Sequence, residues 1–226
     1  MNRIFVNQKQ DNCFLLTSED LKHLKVLRIT DKPFICVYNQ EFYKCTLAND
    51  RALIQEKLNL NHELPFEVVL AIGVIKFERF EWLLQKATEL GVTKIIPMIT
   101  NYTNGELIKF NKFEKKRERF EQILKNAAEQ SFRNKIPTLD KLTKFEDVAN
   151  LNYDFKIIAH EKNSIQDALS DKINQNVLFL VGPEGGFSDQ EIEKALNSGF
   201  ISVSLGSRIL RAETAGLFLL SQIKIQ

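Results

Sequence analysis

From residue 66 onward, apolar runs alternate with amphipathic stretches, and this alternation constrains the fold more than any other feature. Residues 66–75 form a nearly continuous apolar run, as a strand buried on both faces would. Residues 77–90 follow, with Phe80, Leu83, Leu84, Ala87 and Leu90 on one helical face. Gly91 sits just past the end, where a C-terminal glycine cap belongs. Residues 93–99 are again apolar. Residues 112–131 read as one long charged helix with Phe113, Phe120, Ile123, Leu124, Ala127 and Ala128 inward. Residues 155–159 read as a strand, and Ser164-Ile165-Gln166-Asp167 resembles a capping box opening a short helix. Residues 177–181 are a purely apolar strand. Ser188-Asp189-Gln190-Glu191 matches the capping box and opens a helix ending at Gly199. Residues 201–205 read as a strand and 212–223 as a last helix. The pattern predicts an α/β domain with a mostly parallel sheet covered on both faces.

The first 65 residues follow a different period. Short strands are expected at 4–6, 34–38, 42–47 and 51–57, with a hairpin turn at Tyr38-Asn39-Gln40-Glu41. One helix interrupts them at 18–27, with Ser18 as N-cap and Leu21, Leu24 and Leu27 at helical spacing. Short strands with one helix suggest a small barrel. Asn59-Leu60-Asn61-His62-Glu63-Leu64-Pro65 breaks the pattern and reads as a linker. The expected division is therefore a domain over 1–65 and a second over 66–226.

Composition excludes several classes. With 44% hydrophobic residues among 226, the chain is not a disordered one. No apolar run approaches the roughly 18–20 residues of a membrane helix. The N-terminus enters a strand-like segment at once, so no signal peptide is expected, and the reading is cytoplasmic. Cys13, Cys36 and Cys45 lack paired metal spacing and read as buried, reduced thiols, so no metal is expected. A net charge of +2 gives no support by itself to a nucleic-acid partner. The basic residues, however, are 22 Lys and only 9 Arg. Where Lys supplies generic charge, each Arg is a better candidate for a site that needs its planar fork.

Ligands of open α/β sheets bind beyond the carboxyl ends of the strands, and two such ends stand out. Val181-Gly182-Pro183-Glu184-Gly185-Gly186-Phe187-Ser188 joins a buried strand to a capped helix. Glycine lets backbone approach a ligand closely. The segment is neither a phosphate-binding loop nor a dinucleotide fingerprint. It has no Lys, and the Glu184 carboxylate would repel a polyphosphate. A ligand with hydroxyls, an adenine edge or a positive charge suits it better, and a plain strand-to-helix turn is the alternative. Leu205-Gly206-Ser207-Arg208-Ile209-Leu210-Arg211-Ala212-Glu213-Thr214-Ala215 sets two arginines about an apolar pair. A third segment, Glu129-Gln130-Ser131-Phe132-Arg133-Asn134-Lys135, places positive charge at a helix end, where the macrodipole or a phosphate would favour it.

With these segments in view, the chain resembles the RsmE family, methyltransferases acting on N3 of a uridine in small-subunit ribosomal RNA. The matching residues are Lys86-Ala87-Thr88-Glu89-Leu90-Gly91-Val92, Glu129-Gln130-Ser131 with Arg133 and Pro137, Gly182–Gly186, and the Leu205-Gly206 to Thr214-Ala215 segment. Arg3-Ile4-Phe5 and His23-x-x-Val26-Leu27-Arg28 also match, so the similarity is collinear over the whole chain.

The resemblance implies a PUA-like β-barrel over 1–65 that positions RNA. It implies a SPOUT methyltransferase domain over 66–226 with a C-terminal trefoil knot. It implies a homodimer using S-adenosylmethionine, with small-subunit (16S) ribosomal RNA or the assembled 30S subunit as substrate. The cofactor would be held by His160, Gly182, Pro183, Glu184, Gly185, Gly186, Leu205, Gly206, Ile209, Leu210 and Thr214. Arg211 or Arg208 would stabilise the uracil anion, with Glu213 orienting that arginine or acting as a first-turn helix acid. Arg3, His23, Arg28, Gln130, Arg133 and Lys135 would contact RNA. The family usually has an arginine in the loop after the 93–99 strand. Here that loop reads Thr100-Asn101-Tyr102-Thr103-Asn104, with no basic residue, so either Asn101 or Tyr102 substitutes or this loop contributes less to RNA or cofactor contact. The family's Gly-Asp barrel turn is Thr30-Asp31 here. Two other readings compete: an RNA-binding protein whose SPOUT domain is catalytically silent, and a nucleotide-phosphate enzyme using the glycine loop.

Overall fold

The computed structural model describes residues 2–29, 32–160 and 172–224. The expected Ser164–Asp167 capping box and the Thr30-Asp31 turn lie outside the described residues. The chain forms two compact units, Met1–Glu63 with Lys125–Ile136, and Leu64–Leu124 with Pro137–Gln226.

The first unit holds β1 (Arg3–Phe5), β2 (Lys9–Gln10), β3 (Cys13–Leu15), α1 (Ser18–Val26), β4 (Phe34–Tyr38), β5 (Glu41–Ala48) and β6 (Arg51–Leu58). Its six strands run in the order β1-β4-β5-β6-β3-β2. β1 and β2 are the two edges, so the sheet curls as a half-barrel and does not close among the described residues. The β4–β5 turn uses Asn39 and Gln40 at φ 49° and 65°, the left-handed pair that a two-residue hairpin requires. β2 and β3 were not expected, because runs of two and three residues carry no readable alternation. The N-cap of α1 is Thr17 and not Ser18. Thr17 Oγ1 accepts from the Asp20 N–H at 3.1 Å, and the Asp20 carboxylate accepts from the Thr17 N–H at 2.9 Å. Cys13, Cys36 and Cys45 are buried free thiols.

A buried ion pair is among the contacts that tie Lys125–Ile136 into this unit. Arg133, only 5% exposed, donates to Glu63 at 3.0 Å from Nε and 2.6 Å from Nη2. The same carboxylate accepts from the Asn134 and Lys135 N–H groups at 2.8 and 3.1 Å. The Asn134 amide donates to the carbonyls of Gln40 and Leu60. Phe132 packs on Phe42, ring centroids 5.0 Å apart.

The second unit holds β7 (Val68–Gly73), α2 (Phe77–Glu89), β8 (Lys94–Ile99), α3 (Gly105–Ile108), β9 (Thr138–Leu139), β10 (Thr143–Lys144), α5 (Phe145–Ala149), β11 (Phe155–Ala159), β12 (Val177–Val181), α6 (Asp189–Asn197), β13 (Ile201–Val203) and α7 (Ala212–Leu220). Helix α4 (Arg117–Gln130) begins in this unit and ends in the first. The strands run β10-β8-β7-β12-β11-β13, with β9 also on β8, and every pairing is parallel. β7 and β12 are buried throughout, which explains their unbroken apolar sequence. One face carries a core of Val69, Ala71, Met98, Phe145, Phe187 and Ile192. On the other, α2 and α7 pack together. Gly216 makes this possible, since a Cβ there would stand 3.3 Å from both Leu70 and Leu83.

The expected single helix over 112–131 is corrected. Phe110 and Asn111, at φ 54° and 55°, separate this stretch from the short helical turns before it, and Lys112 and Phe113 return to the right-handed helical region. A 3-10 turn at Glu114–Lys116 precedes α4, which starts only at Arg117. Gly91 at φ 90°, the Ser188–Glu191 capping box and Gly199 at φ 85° stand as the sequence indicates. The connection between β11 and β12, in the region of the implied knot, includes residues 161–171, outside the described residues.

Removing Glu63 leaves a buried guanidinium without its carboxylate. Glu63→Ala is expected to cost about 3–5 kcal/mol in denaturant unfolding of the first unit. Burial alone would raise the Glu63 pKa, but Arg133 and the Asn134 and Lys135 N–H groups together hold it below its ordinary value of 4.5. The stability it contributes is therefore full above that value and is lost as pH falls through the depressed pKa of the fold. Unfolding followed between pH 7 and pH 3 should show that loss in wild type and not in Glu63→Ala.

Candidate functional site

The carboxyl ends of β11, β12 and β13 open into a cavity of about 430 Å³. Its floor is small and apolar, with Ala159, Val181, Ala212 and Ala215. Two loops wall it, residues 182–187 after β12 and 204–211 after β13. Of the residues expected to hold a cofactor, His160, Gly182, Pro183, Glu184, Gly185, Gly186, Leu205, Gly206, Ile209 and Leu210 all line it. Thr214 does not. It sits on α7 facing solvent, while its neighbours Ala212 and Ala215 take the lining.

The first loop is shaped by contacts only glycine permits. A Cβ on Gly182 would lie 2.8 Å from the Gly186 carbonyl carbon, and one on Gly73, at the end of β7, 2.5 Å from Pro183. Gly186 itself has φ 70° and donates to the Pro183 carbonyl at 2.9 Å. The second loop turns at Gly206, φ 113°. The loop after β8 adds Tyr102 to the rim. Asn101 fixes it, its N–H donating to Glu191 at 2.8 Å and its amide to the Ser188 hydroxyl at 2.8 Å. The capping box of α6 therefore also anchors the neighbouring loop.

Arg208 and Arg211 are exposed and line the cavity. Glu213 lies apart from them. It occupies the buried side of the first turn of α7 and faces Arg79 of α2, whose Nε is 3.8 Å from it. The expectation that Glu213 orients Arg208 or Arg211 is thus corrected, because α7 turns position 213 inward while Arg211 stays outside as N-cap. Arg79 also stands 3.7 Å from Glu184 and so links the glycine loop to α7. One Glu213 carboxylate oxygen has no hydrogen-bond partner. Sequence reasoning missed Arg79. Its only signal was its place among few arginines, two residues inside a helix.

The residues expected to touch RNA all lie in the first unit, and they separate into two kinds. Arg133 is enclosed by its pairing with Glu63. Arg3 donates to the carbonyls of Glu129 and Gln130 and lies 4.5 Å over the Phe132 ring, where burial lowers its pKa. Both serve the packing of this unit. His23 is partly exposed, its Nδ1 3.6 Å from Glu129 Oε2. Glu129 is buried, and that burial raises its pKa. Gln130 and Lys135 are exposed.

Arg28 is exposed. It follows α1 at φ 55°, and the bonds Arg28 N–H to Lys25 and Ile29 N–H to Leu24 close a Schellman cap, where glycine is the usual residue.

Among the described residues, no helix is long and apolar enough to cross a membrane, and no group of His, Cys, Asp and Glu could hold a metal ion.

A family model described as an RNA methyltransferase domain matches residues 62–224. Ribosomal RNA small subunit methyltransferase E of Mesomycoplasma hyopneumoniae (strain 232) is 42% identical over 226 residues, covering 98% of each chain. That of Bacillus subtilis (strain 168) is 34% identical over 233 residues, covering 94% of this chain and 90% of its own. The solved ribosomal RNA small subunit methyltransferase E from Neisseria gonorrhoeae, bound to S-adenosyl methionine, superposes with TM-score 0.82 at 27% identity, covering 98% and 95% of the two chains. A Legionella pneumophila methyltransferase in complex with SAM gives TM-score 0.83 at 30% identity, covering 97% and 95%. With its parallel sheet, its glycine-built cavity and these near full-length similarities, the chain belongs to the RsmE family of RNA methyltransferases.

Proposed function

We propose that this chain methylates N3 of a uridine in small-subunit ribosomal RNA, using S-adenosylmethionine. The observation that carries the reading is the cavity itself: a glycine-shaped backbone cradle with two exposed arginines on its rim. The residues present fit the cofactor. Small apolar side chains floor the space, a Cβ at Gly182 would collide with the Gly186 backbone and disturb the cradle, and the first loop offers a carboxylate but no lysine. That set suits a sulfonium with hydroxyls and an adenine, and not a polyphosphate. His160, Pro183, Glu184, Gly185, Gly186, Leu205, Gly206, Ile209 and Leu210 would hold it with Gly182. When bound, the cofactor supplies an electrophilic methyl group.

The protein's own task is alignment and charge. Uracil N3 is not nucleophilic until its proton leaves. A cation beside the base lowers the N3 pKa by favouring the anion. Arg211 and Arg208, at the cavity rim, are the groups placed to do so. Glu213 acts through Arg79, which ties the glycine loop to α7, and is a positioning residue. Fixing the reacting atoms in line is the larger contribution to such transfers.

The first unit positions the RNA, with the exposed Arg28, Gln130 and Lys135 and the partly exposed His23 as its contacts. Phosphate contacts orient without reading sequence. The target base must be splayed out of its stack to reach the cavity. The active form is proposed to be a homodimer working on ribosomal RNA or 30S subunits in the cytoplasm.

Arg211→Ala, assayed at saturating cofactor, should lower kcat by about 100-fold, the usual effect of losing a group that meets developing charge. Retention of kcat within a few-fold would reject the role. Gly182→Ala should abolish the heat of S-adenosylmethionine binding in calorimetry while leaving the fold intact by circular dichroism. A wild-type protein giving no heat would instead favour a silent RNA-binding module. RNA affinity should fall steeply with salt, as phosphate contacts release counterions. Ribosomal RNA from cells lacking the protein should miss a single methyl group by mass spectrometry.

A further inference from the structure

We propose that Tyr102 is a stacking platform for an unstacked base of the RNA substrate at the mouth of the cavity. This rests on the methyltransferase reading above and adds the surface that receives the RNA.

Tyr102 is 54% exposed, yet its stem is firmly placed. The Thr100 N–H donates to the Thr103 hydroxyl at 2.8 Å, and the Thr103 N–H returns to the Thr100 carbonyl at 3.1 Å, which closes the turn that presents the ring. Asn101 anchors that turn twice, to Ser188 and Glu191. Gly185 completes the seat, since a Cβ there would lie 2.9 Å from the Tyr102 Cβ. Among the described residues the Tyr102 hydroxyl has no hydrogen-bond partner. The ring therefore serves neither a core nor a polar network. A rigidly held, solvent-facing aromatic ring is the arrangement on which bases of single-stranded nucleic acid stack.

Its position selects the RNA base over the cofactor's adenine. Tyr102 rests on the outer half of the glycine loop, where Glu184 and Gly185 are exposed, and not on the buried inner half at Val181, Gly182 and Pro183. The neighbouring charges agree. Glu184 and Asp189 line the cavity with Tyr102 and repel phosphate, so what meets this wall is a neutral ring face. Arg208 and Arg211 belong to the other loop and are the groups for negative charge. One wall thus takes the face of a base and the other its anion or its phosphate.

The test uses 30S subunits from cells that lack the protein, which carry the unmethylated target. Three quantities are read: methyl transfer, subunit affinity by filter retention without cofactor, and S-adenosylmethionine affinity by calorimetry. Tyr102→Ala and Tyr102→Leu should each lower kcat/KM for the subunits about tenfold or more, the scale of one lost base–aromatic stack. Subunit affinity should fall with it, and the S-adenosylmethionine Kd should hold, which also shows that the fold is intact. Tyr102→Phe keeps the ring and should recover the loss. Unchanged kcat/KM in Tyr102→Ala overturns the proposal. So does a cofactor Kd weakened in proportion, which would assign the ring to adenine. A wild-type chain that binds S-adenosylmethionine but methylates no subunit overturns the functional reading itself, and this inference with it.

Discussion

The close approach of backbone to backbone at the strand ends is the constraint on which the cavity depends. Gly73 at the end of β7 leaves room for Pro183, and Gly182 leaves room for Gly186, at separations no side chain allows. These contacts hold the loop after β12 close against the end of β7, and Gly185 farther along it seats Tyr102. A methyl group added at Gly73 or Gly182 would lift the loop, and the cavity walls would part together.

Charge is arranged around that backbone frame in two distinct ways. Some charges are paired and hold elements in place, as the buried Arg133 does with Glu63 and the half-buried Arg79 with Glu184 and Glu213. Among the described residues, the exposed Arg28, Arg208 and Arg211 stand apart from ion pairs. The arginine economy of the sequence thus resolves into structural forks and surface ones, and only the second kind is available to a ligand. A net charge of +2 conceals this division entirely.

Much of this was legible beforehand. The parallel sheet followed from fully apolar β7 and β12, whose burial on both faces leaves no alternation. The cavity loops followed from glycines placed after strands. Other features were not legible, for identifiable reasons. β2, β3, β9 and β10 are two or three residues long and carry no period. The burial of Arg133 was hidden because sequence shows a charge but not the carboxylate that encloses it. Arg79 and Glu213 meet across 134 positions, a pairing that no local pattern announces. Tyr102 could be placed in its loop, but its seat on Gly185 depends on two loops adjacent only in the fold.

The pairing of β12 with β7 has a consequence for how the protein is made. Val177 of β12 lies beside Val68 of β7, so a central strand waits for a neighbour more than a hundred residues downstream. Until β12 leaves the ribosome, β7 has only β8 beside it, and its apolar edge stays open to solvent or to another chain. Parallel sheets with such distant partners fold slowly and expose aggregation-prone surface meanwhile. Among the described residues, every wall of the cavity apart from Tyr102 comes from Ala159 or later. The proposed cofactor binding therefore cannot stabilise the sheet during most of synthesis, and it would report a chain that has already completed its fold.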